Sequence, residues 1–199
     1  MNEVLTPRWL IEAAEMWVQS NAPSSWGPAA RAAALRALSE TYTRDRGDIP
    51  STLENPELVP LHVQFFLLRD LPKLFGPLQE LAERQALPSS LRVLDLGAGV
   101  GTMGLAVAAF LELRGPATVR LTAVDQNRNA LDALETLAAH APEDLTLSVE
   151  TRCADIFSTR LPPGPFDLIV AGLVLNERAE PADELTGWFA QLEPRLAPG

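Results

Sequence analysis

Asp95 and Asp125 each end an apolar run, and the first is followed at once by a turn with glycines at 97, 99 and 101. The stretch reads VLDLGAGVGTMG, Val93 to Gly104. Glycines allow a tight turn and bring a ligand close to bare backbone, and the helix that follows offers unpaired N–H groups at its amino terminus. Gly99, Gly101 and Gly104 also satisfy the G-x-G-x-x-G spacing of dinucleotide sites, with Asp125 about where a ribose-binding acid is expected. Two ligand chemistries thus compete for one loop, and Asp95 separates them. A carboxylate just before the glycines faces a pyrophosphate unfavourably, but suits a ligand end that carries an ammonium and a sulfonium.

These residues need a scaffold, and the hydrophobic pattern supplies one. After Ser89 strand and helix patterns alternate: strand Arg92 to Leu96, helix Thr102 to Arg114, strand Thr118 to Val124, helix Asn127 to His140. Strands at Leu145 to Arg152 and Phe166 to Ala171 and a helix at Pro181 to Leu196 complete the series. Such alternation implies a parallel sheet covered by helices on both faces, with ligands at the carboxyl ends of the strands. The first 89 residues read as a helical cap region without a strand. A helix from Pro7 to Gln19 carries Trp9, Ala13 and Trp17, with Thr6 as its cap, and a second from Pro28 to Thr43 carries Leu35, Leu38 and Tyr42. Gly47 to Pro60 reads as a loop, Leu61 to Arg69 as a buried helix, and Pro72 and Pro77 predict breaks before a helix that ends near Gln85.

On these motifs the chain resembles the class I S-adenosylmethionine (SAM) dependent methyltransferases. The resemblance implies an α/β fold with a Rossmann-like sheet over 90–199 and SAM as cofactor. It implies that Asp95, Gly97, Ala98, Gly99 and Gly101 hold the methionine part. LTAVDQN, Leu121 to Asn127, is similar to the second motif, which gives the ribose hydroxyls to Asp125 with Gln126 beside it. RCADIF, Arg152 to Phe157, puts Asp155 beside the adenine amino group and Ile156 against the ring. FDLIVAGLVLNE, Phe166 to Glu177, resembles the fourth strand and the loop that faces the methyl group. There Asn176 is positioned to orient an acceptor and Glu177 to take a proton, although a turn cap and a helix start explain the same two residues. The family's sheet has seven strands, whereas four are counted here before LEPRLAPG, Leu192 to Gly199, so the fourth strand is expected to present an uncovered edge that invites self-association.

A narrower resemblance rests on YTRDRGD at Tyr42 to Asp48, RDLPKLF at Arg69 to Phe75 and VLNE at Val174 to Glu177. Together they are similar to the methyltransferase-like assembly factors of the small ribosomal subunit, which implies rRNA or the assembling particle as partner. The chain departs from that group in two ways. It has one cysteine, Cys153, whereas members related to the mitochondrial proteins carry a cysteine set associated with an iron–sulfur cluster, and its net charge is −10. Phosphate binding is carried by clustered Lys and Arg, so only a local basic patch would serve RNA. Arg44, Asp45 and Arg46 offer a grip for a substrate carboxylate or phosphate, although a solvated loop is the simpler explanation of the same residues. Cys153 itself reads as a small buried residue. His62 and His140 lack partners at metal-ligand spacing, so no metal is expected. With no long apolar run and no leader pattern, the expected location is cytoplasmic and no membrane contact is expected. Three functions remain in play: methyl transfer to rRNA, methyl transfer to a small molecule or protein, and a SAM-binding assembly factor without transfer.

Overall fold

The computed structural model describes residues 6–43, 55–157, 160–172, 174 and 182–198. Up to the first strand the described residues hold helices and no strand. Helix α1 (Arg8–Asn21) begins one residue later than a Thr6 cap predicts, because Pro7 is the N-cap, at φ −56° and ψ 141°. Its buried stripe is Leu10, Ala13, Ala14 and Val18, which leaves Trp9 and Trp17 on the flanks of the core. Helix α2 (Pro28–Thr43) buries Leu38, with Leu35 and Tyr42 half-buried beside it.

Pro72 and Pro77 do not break the next region. From Pro56 to Glu83 the chain stays helical by changing its winding: 3-10 at Pro56–Leu58, α at Val59–Leu61, π at His62–Leu67, α at Leu68–Asp70, 3-10 at Leu71–Leu74, then helix α3 (Phe75–Glu83). Position explains the tolerance. Pro72 is the second residue of its 3-10 turn and Pro77 the third of α3, first-turn places whose N–H groups have no partner within the helix.

From Ser90 the alternation holds: β1 (Ser90–Leu96), α4 (Thr102–Glu112), β2 (Ala117–Asp125), α5 (Arg128–Ala138), β3 (Leu145–Cys153), β4 (Leu168–Val170) and α6 (Ala182–Ala190). All pairings are parallel and the order is β3-β2-β1-β4, a Rossmann-like arrangement whose direction of growth reverses between β1 and β4. Leu91 and Val93 point into one core with Val119, Leu121 and Ala123, which α4, α5 and the N-terminal helices close. Leu94, Leu96 and Val124 point the other way, into a smaller core with Ile156, Leu161, Phe166 and Trp188.

Two expectations about the sheet need correction. Helices cover the second face only in part: α6 brings Trp188 onto it, whereas Arg120, Thr146, Ser148, Glu150 and Arg152 are exposed along β2 and β3, where the connection from Cys153 to Leu168 holds no helix among its described residues. β4 is also shorter than Phe166 to Ala171. Phe166 instead forms an isolated parallel bridge with Leu196, its N–H donating to the Arg195 carbonyl at 2.7 Å and its carbonyl accepting from Ala197 N–H at 2.7 Å. The edge expected to be bare therefore carries the C-terminal segment at that point. Arg92 and Asp167 clamp the amino ends of β1 and β4, with the guanidinium Nη2 2.7 Å and Nε 3.0 Å from the two carboxylate oxygens. Among the described residues no helix is long and apolar enough to cross a membrane.

Candidate cofactor-binding site

Strand register gathers the three acids at one rim. Asp95 lies in β1 between Ala123 of β2 and Val170 of β4, Asp125 ends β2 opposite Cys153, and Asp155 follows β3 by two residues. This rim is the carboxyl end of the sheet, next to the reversal point where open α/β sheets bind ligands.

Asp95 is fully buried, and its Oδ2 accepts the Gly104 N–H at 2.8 Å. Sequence reasoning missed this role. Helix α4 opens on Gly101, which has no side chain to cap it, so the strand carboxylate, nine residues before the Gly104 amide, caps it from below. Asp95 Oδ1 is buried without a partner. Desolvation pushes the carboxyl pKa up to about 7, against the pull of the Gly104 bond, and the neighbouring charge of Asp125 adds to the rise.

Asp125 is half-buried and ties the turn to the second strand. Its Oδ2 accepts from Gly99 N–H and its Oδ1 from Asn127 N–H, both at 2.8 Å. Burial raises its pKa, and the N–H bonds from Asn127, Gly99 and Gln126 oppose the rise. A carboxylate accepts at about four lone-pair positions, so the three backbone N–H groups leave about one for a ligand hydroxyl. The turn hangs on β2 as well: Gly97 and Ala98 both donate to the Val124 carbonyl, at 2.9 and 3.1 Å, and Gly101 donates to Ala98 at 2.7 Å.

The glycines divide into two kinds. Gly97 (φ +71°) and Gly101 (φ +86°) are packed, because a Cβ at 97 would overlap Val174 and one at 101 would lie 3.0 Å from Leu134 Cγ of α5. Gly99 (φ +52°) has nothing within 4 Å of such a Cβ. It alone of the three faces open space, where a ligand has room. Val174 also brings the segment after β4 onto the turn, and Gly172 does the same at α4, where a Cβ would lie 2.7 Å from Met103 Sδ.

Asp155, the residue the resemblance sets beside adenine, lies at a tight turn, its Oδ1 accepting from Phe157 N–H at 2.9 Å. Ile156 is packed inward, 4% exposed, and its carbonyl accepts from the Trp188 indole at 3.0 Å. Gln126 is exposed, and its carbonyl lies 3.3 Å from Cys153 Sγ. Cys153 is exposed, contrary to the buried reading, because β3 is an edge strand and the thiol lies at its last residue. Asn176, Glu177 and the Arg44 to Arg46 cluster lie outside the described residues. His62 packs within its helix, Nδ1 at 3.0 Å from the Leu58 carbonyl and Nε2 at 3.0 Å from Tyr42 Oη; burial lowers its pKa. His140 Nδ1 lies 2.9 Å from the Thr136 carbonyl near the end of α5. Among the described residues no group of His, Cys, Asp and Glu is arranged to hold a metal.

The model of one family, described as "Methyltransferase domain", matches residues 94–199, just over half of the chain and the whole glycine turn and rim. The chain belongs to this family. Its match is to the broad methyltransferase domain rather than to the narrower ribosome-assembly group. No curated protein sequence matches. Among solved structures, a SAM-dependent methyltransferase of Leishmania major is 17% identical over 94% of this chain and 65% of that one, with a TM-score of 0.50, a likeness of fold. The glycopeptide N-methyltransferase MtfA complexed with sinefungin is 27% identical over 63% of this chain and 46% of that one, with a TM-score of 0.43. A SAM-dependent methyltransferase of Clostridium acetobutylicum is 18% identical over 69% and 51%, at 0.47. The chain spans about half the length of these proteins, and 65% of the Leishmania one.

SAM is the cofactor of this methyltransferase domain, and the residues fit it. The orphaned Asp95 Oδ1 matches a cationic amino-acid end, the open face of Gly99 leaves room beside it, and Asp125 offers a carboxylate for a ribose diol. A diphosphate would meet Asp95 as a like charge. In its ionised form that carboxylate weighs against the competing dinucleotide reading.

Proposed function

We propose that the chain transfers the methyl group of SAM to an acceptor held between the glycine turn and the segment that follows β4. The observation that carries this reading is the unpartnered, fully buried oxygen of Asp95 directly before the open turn at Gly99. An isolated buried carboxylate oxygen is costly, and a bound ammonium would offset that cost. SAM supplies an activated methyl for in-line displacement, so the protein's task is alignment and exclusion of water. Asp95 would hold the amino-acid end, Asp125 the ribose and Asp155 the adenine, while Gly99 admits the ligand. Asn176 and Glu177, carried over from the family resemblance, would orient the acceptor and take its proton.

For the acceptor, the small ribosomal subunit, as rRNA or as the assembling particle, is the reading we put forward. It rests on the three sequence segments named above and on one surface feature. The Arg69 guanidinium lies over the Phe65 and Phe66 rings, 4.9 and 4.6 Å from their centroids, beside Lys73, the only lysine of the chain. Buried Asp70 neutralises one of the two cations, at 2.7 Å from Arg69 Nε and 2.8 Å from Lys73 Nζ, and leaves a positive, aromatic-backed patch on an acidic protein. Tritium transfer from labelled SAM into cell extract, sorted into RNA, protein and small-molecule fractions, tests it. Label in small-subunit rRNA supports the reading; label only in small molecules moves the acceptor to that class. Co-sedimentation with the subunit without label points to an assembly factor that binds SAM and transfers nothing.

A further inference from the structure

We infer that Trp188 is a positioning residue for the adenine-binding turn, and through that turn a determinant of selectivity for the 6-amino group of the cofactor's purine. The inference rests on the reading of Asp155 as the adenine carboxylate and adds the element that aims it.

The peptide unit between Ile156 and Phe157 is held at both of its polar atoms. Its carbonyl, on Ile156, accepts the Trp188 indole N–H at 3.0 Å, and its N–H, on Phe157, donates to Asp155 Oδ1 at 2.9 Å. A trans peptide is planar, with C=O and N–H pointing in opposite directions, so fixing the direction of the oxygen also fixes where the N–H aims. The indole therefore sets the orientation of the amide that sets the roll of the Asp155 carboxylate. A carboxylate placed in this way discriminates a purine that offers an N–H₂ donor from one that offers a carbonyl at the same position.

Trp188 is well placed to act as the fixed point. It is 5% exposed, sits in the smaller core with Ile156, Leu94, Leu96 and Val124, and lies 5.3 Å from the Phe157 ring. It reaches the turn from α6, across 32 residues of sequence. Packing alone would be served by other large apolar side chains, whereas the indole N–H supplies a hydrogen bond to the carbonyl that no apolar side chain can make. A lost buried bond of this kind leaves an acceptor unpaired, so the peptide plane is free to rotate toward other donors.

The test compares S-adenosylhomocysteine with S-inosylhomocysteine, which carries a carbonyl in place of the 6-amino group. Calorimetric affinities are measured on the wild-type chain, on Asp155→Ala and on Trp188→Phe. The wild type should prefer the adenosine compound by roughly 10- to 100-fold, the worth of one charge-assisted bond. Asp155→Ala should bring the ratio near one, and Trp188→Phe should lower it several-fold. A purely structural role for Trp188 would weaken both ligands equally and leave the ratio unchanged. If Trp188→Phe does not melt cooperatively, benzothienylalanine at 188 keeps the bicycle and removes only the N–H. A ratio that collapses in Asp155→Ala but is unchanged at 188 overturns the positioning role alone. An unchanged ratio in Asp155→Ala overturns the adenine reading and the inference with it, and a wild type that binds neither compound overturns the proposed function.

Discussion

Asp95 divides its two oxygens between two tasks, Oδ2 accepting the Gly104 amide at 2.8 Å and Oδ1 lying buried with no partner. Substitutions should separate the tasks. Asp95→Asn keeps an oxygen for the helix amide and removes the charge, so its melting temperature should match or exceed that of the wild type while affinity for S-adenosylhomocysteine falls roughly 10- to 100-fold. Asp95→Ala loses the cap as well, at about 1–2 kcal/mol of stability. Denaturant melts and calorimetry on the two variants check this; equal affinity in Asp95→Asn and wild type would exclude an ionic role.

The raised pKa of Asp95, about 7, gives stability a pH dependence of known sign. Between the ordinary carboxyl range and about 7 the folded protein holds a proton that the unfolded chain has released. Stability of the free protein should therefore fall as pH rises from about 4 through 7 from this group. Ligand affinity should run the other way. An ammonium favours the ionised carboxylate, so S-adenosylhomocysteine should bind more tightly as pH passes from 6 to 8, with a proton released on binding near pH 6. Titration at one pH in two buffers of different ionisation enthalpy measures that proton, and it should vanish in Asp95→Asn.

Asp125→Ala should behave differently from Asp95→Asn, because Gly99 and Asn127 each lose an acceptor along with the ligand. The expected result is a loss of roughly 10- to 100-fold in affinity together with about 1–2 kcal/mol of stability. Wild-type affinity in this variant would remove Asp125 from the site, and tight NADH binding by the wild type would restore the dinucleotide reading.

The glycines should separate by the kind of damage they do. Gly99→Val enters open space, so the protein should fold while binding is abolished, a β-branched residue at positive φ also resisting the turn. Gly101→Ala meets Leu134 at φ +86°, which should cost about 1–3 kcal/mol of stability before any ligand is present. Gly99→Ala shares the positive-φ strain of Gly101→Ala without the overlap, so equal destabilisation in those two alanine variants would mean that the turn is packed throughout.

Much of this was legible in the sequence because it is local. The strand and helix around residues 90–138 follow from apolar alternation, Asn127 caps α5 with its Oδ1 3.1 Å from Ala130 N–H, and the glycine turn falls where its residues demand. The misreadings are questions of context. Pro72 and Pro77 looked like breaks because first-turn positions cannot be told from interior ones when the winding changes between α, π and 3-10. Cys153 looked buried because its exposure depends on β3 being an edge. The cap from Asp95 and the bond from Trp188 to Ile156 join residues nine and 32 apart through the fold, and no local pattern announces either.

The exposure of Cys153 has a practical side. It is the only thiol in the chain, it lies opposite Asp125 in the register of β2 and β3, and its sulfur touches the carbonyl of Gln126. A maleimide dye would therefore attach at one position without prior mutagenesis, on the strand residue paired with Asp125. The unaltered protein thus carries its own address for a fluorescent reporter, and ligand entry becomes readable by light at concentrations far below those calorimetry requires.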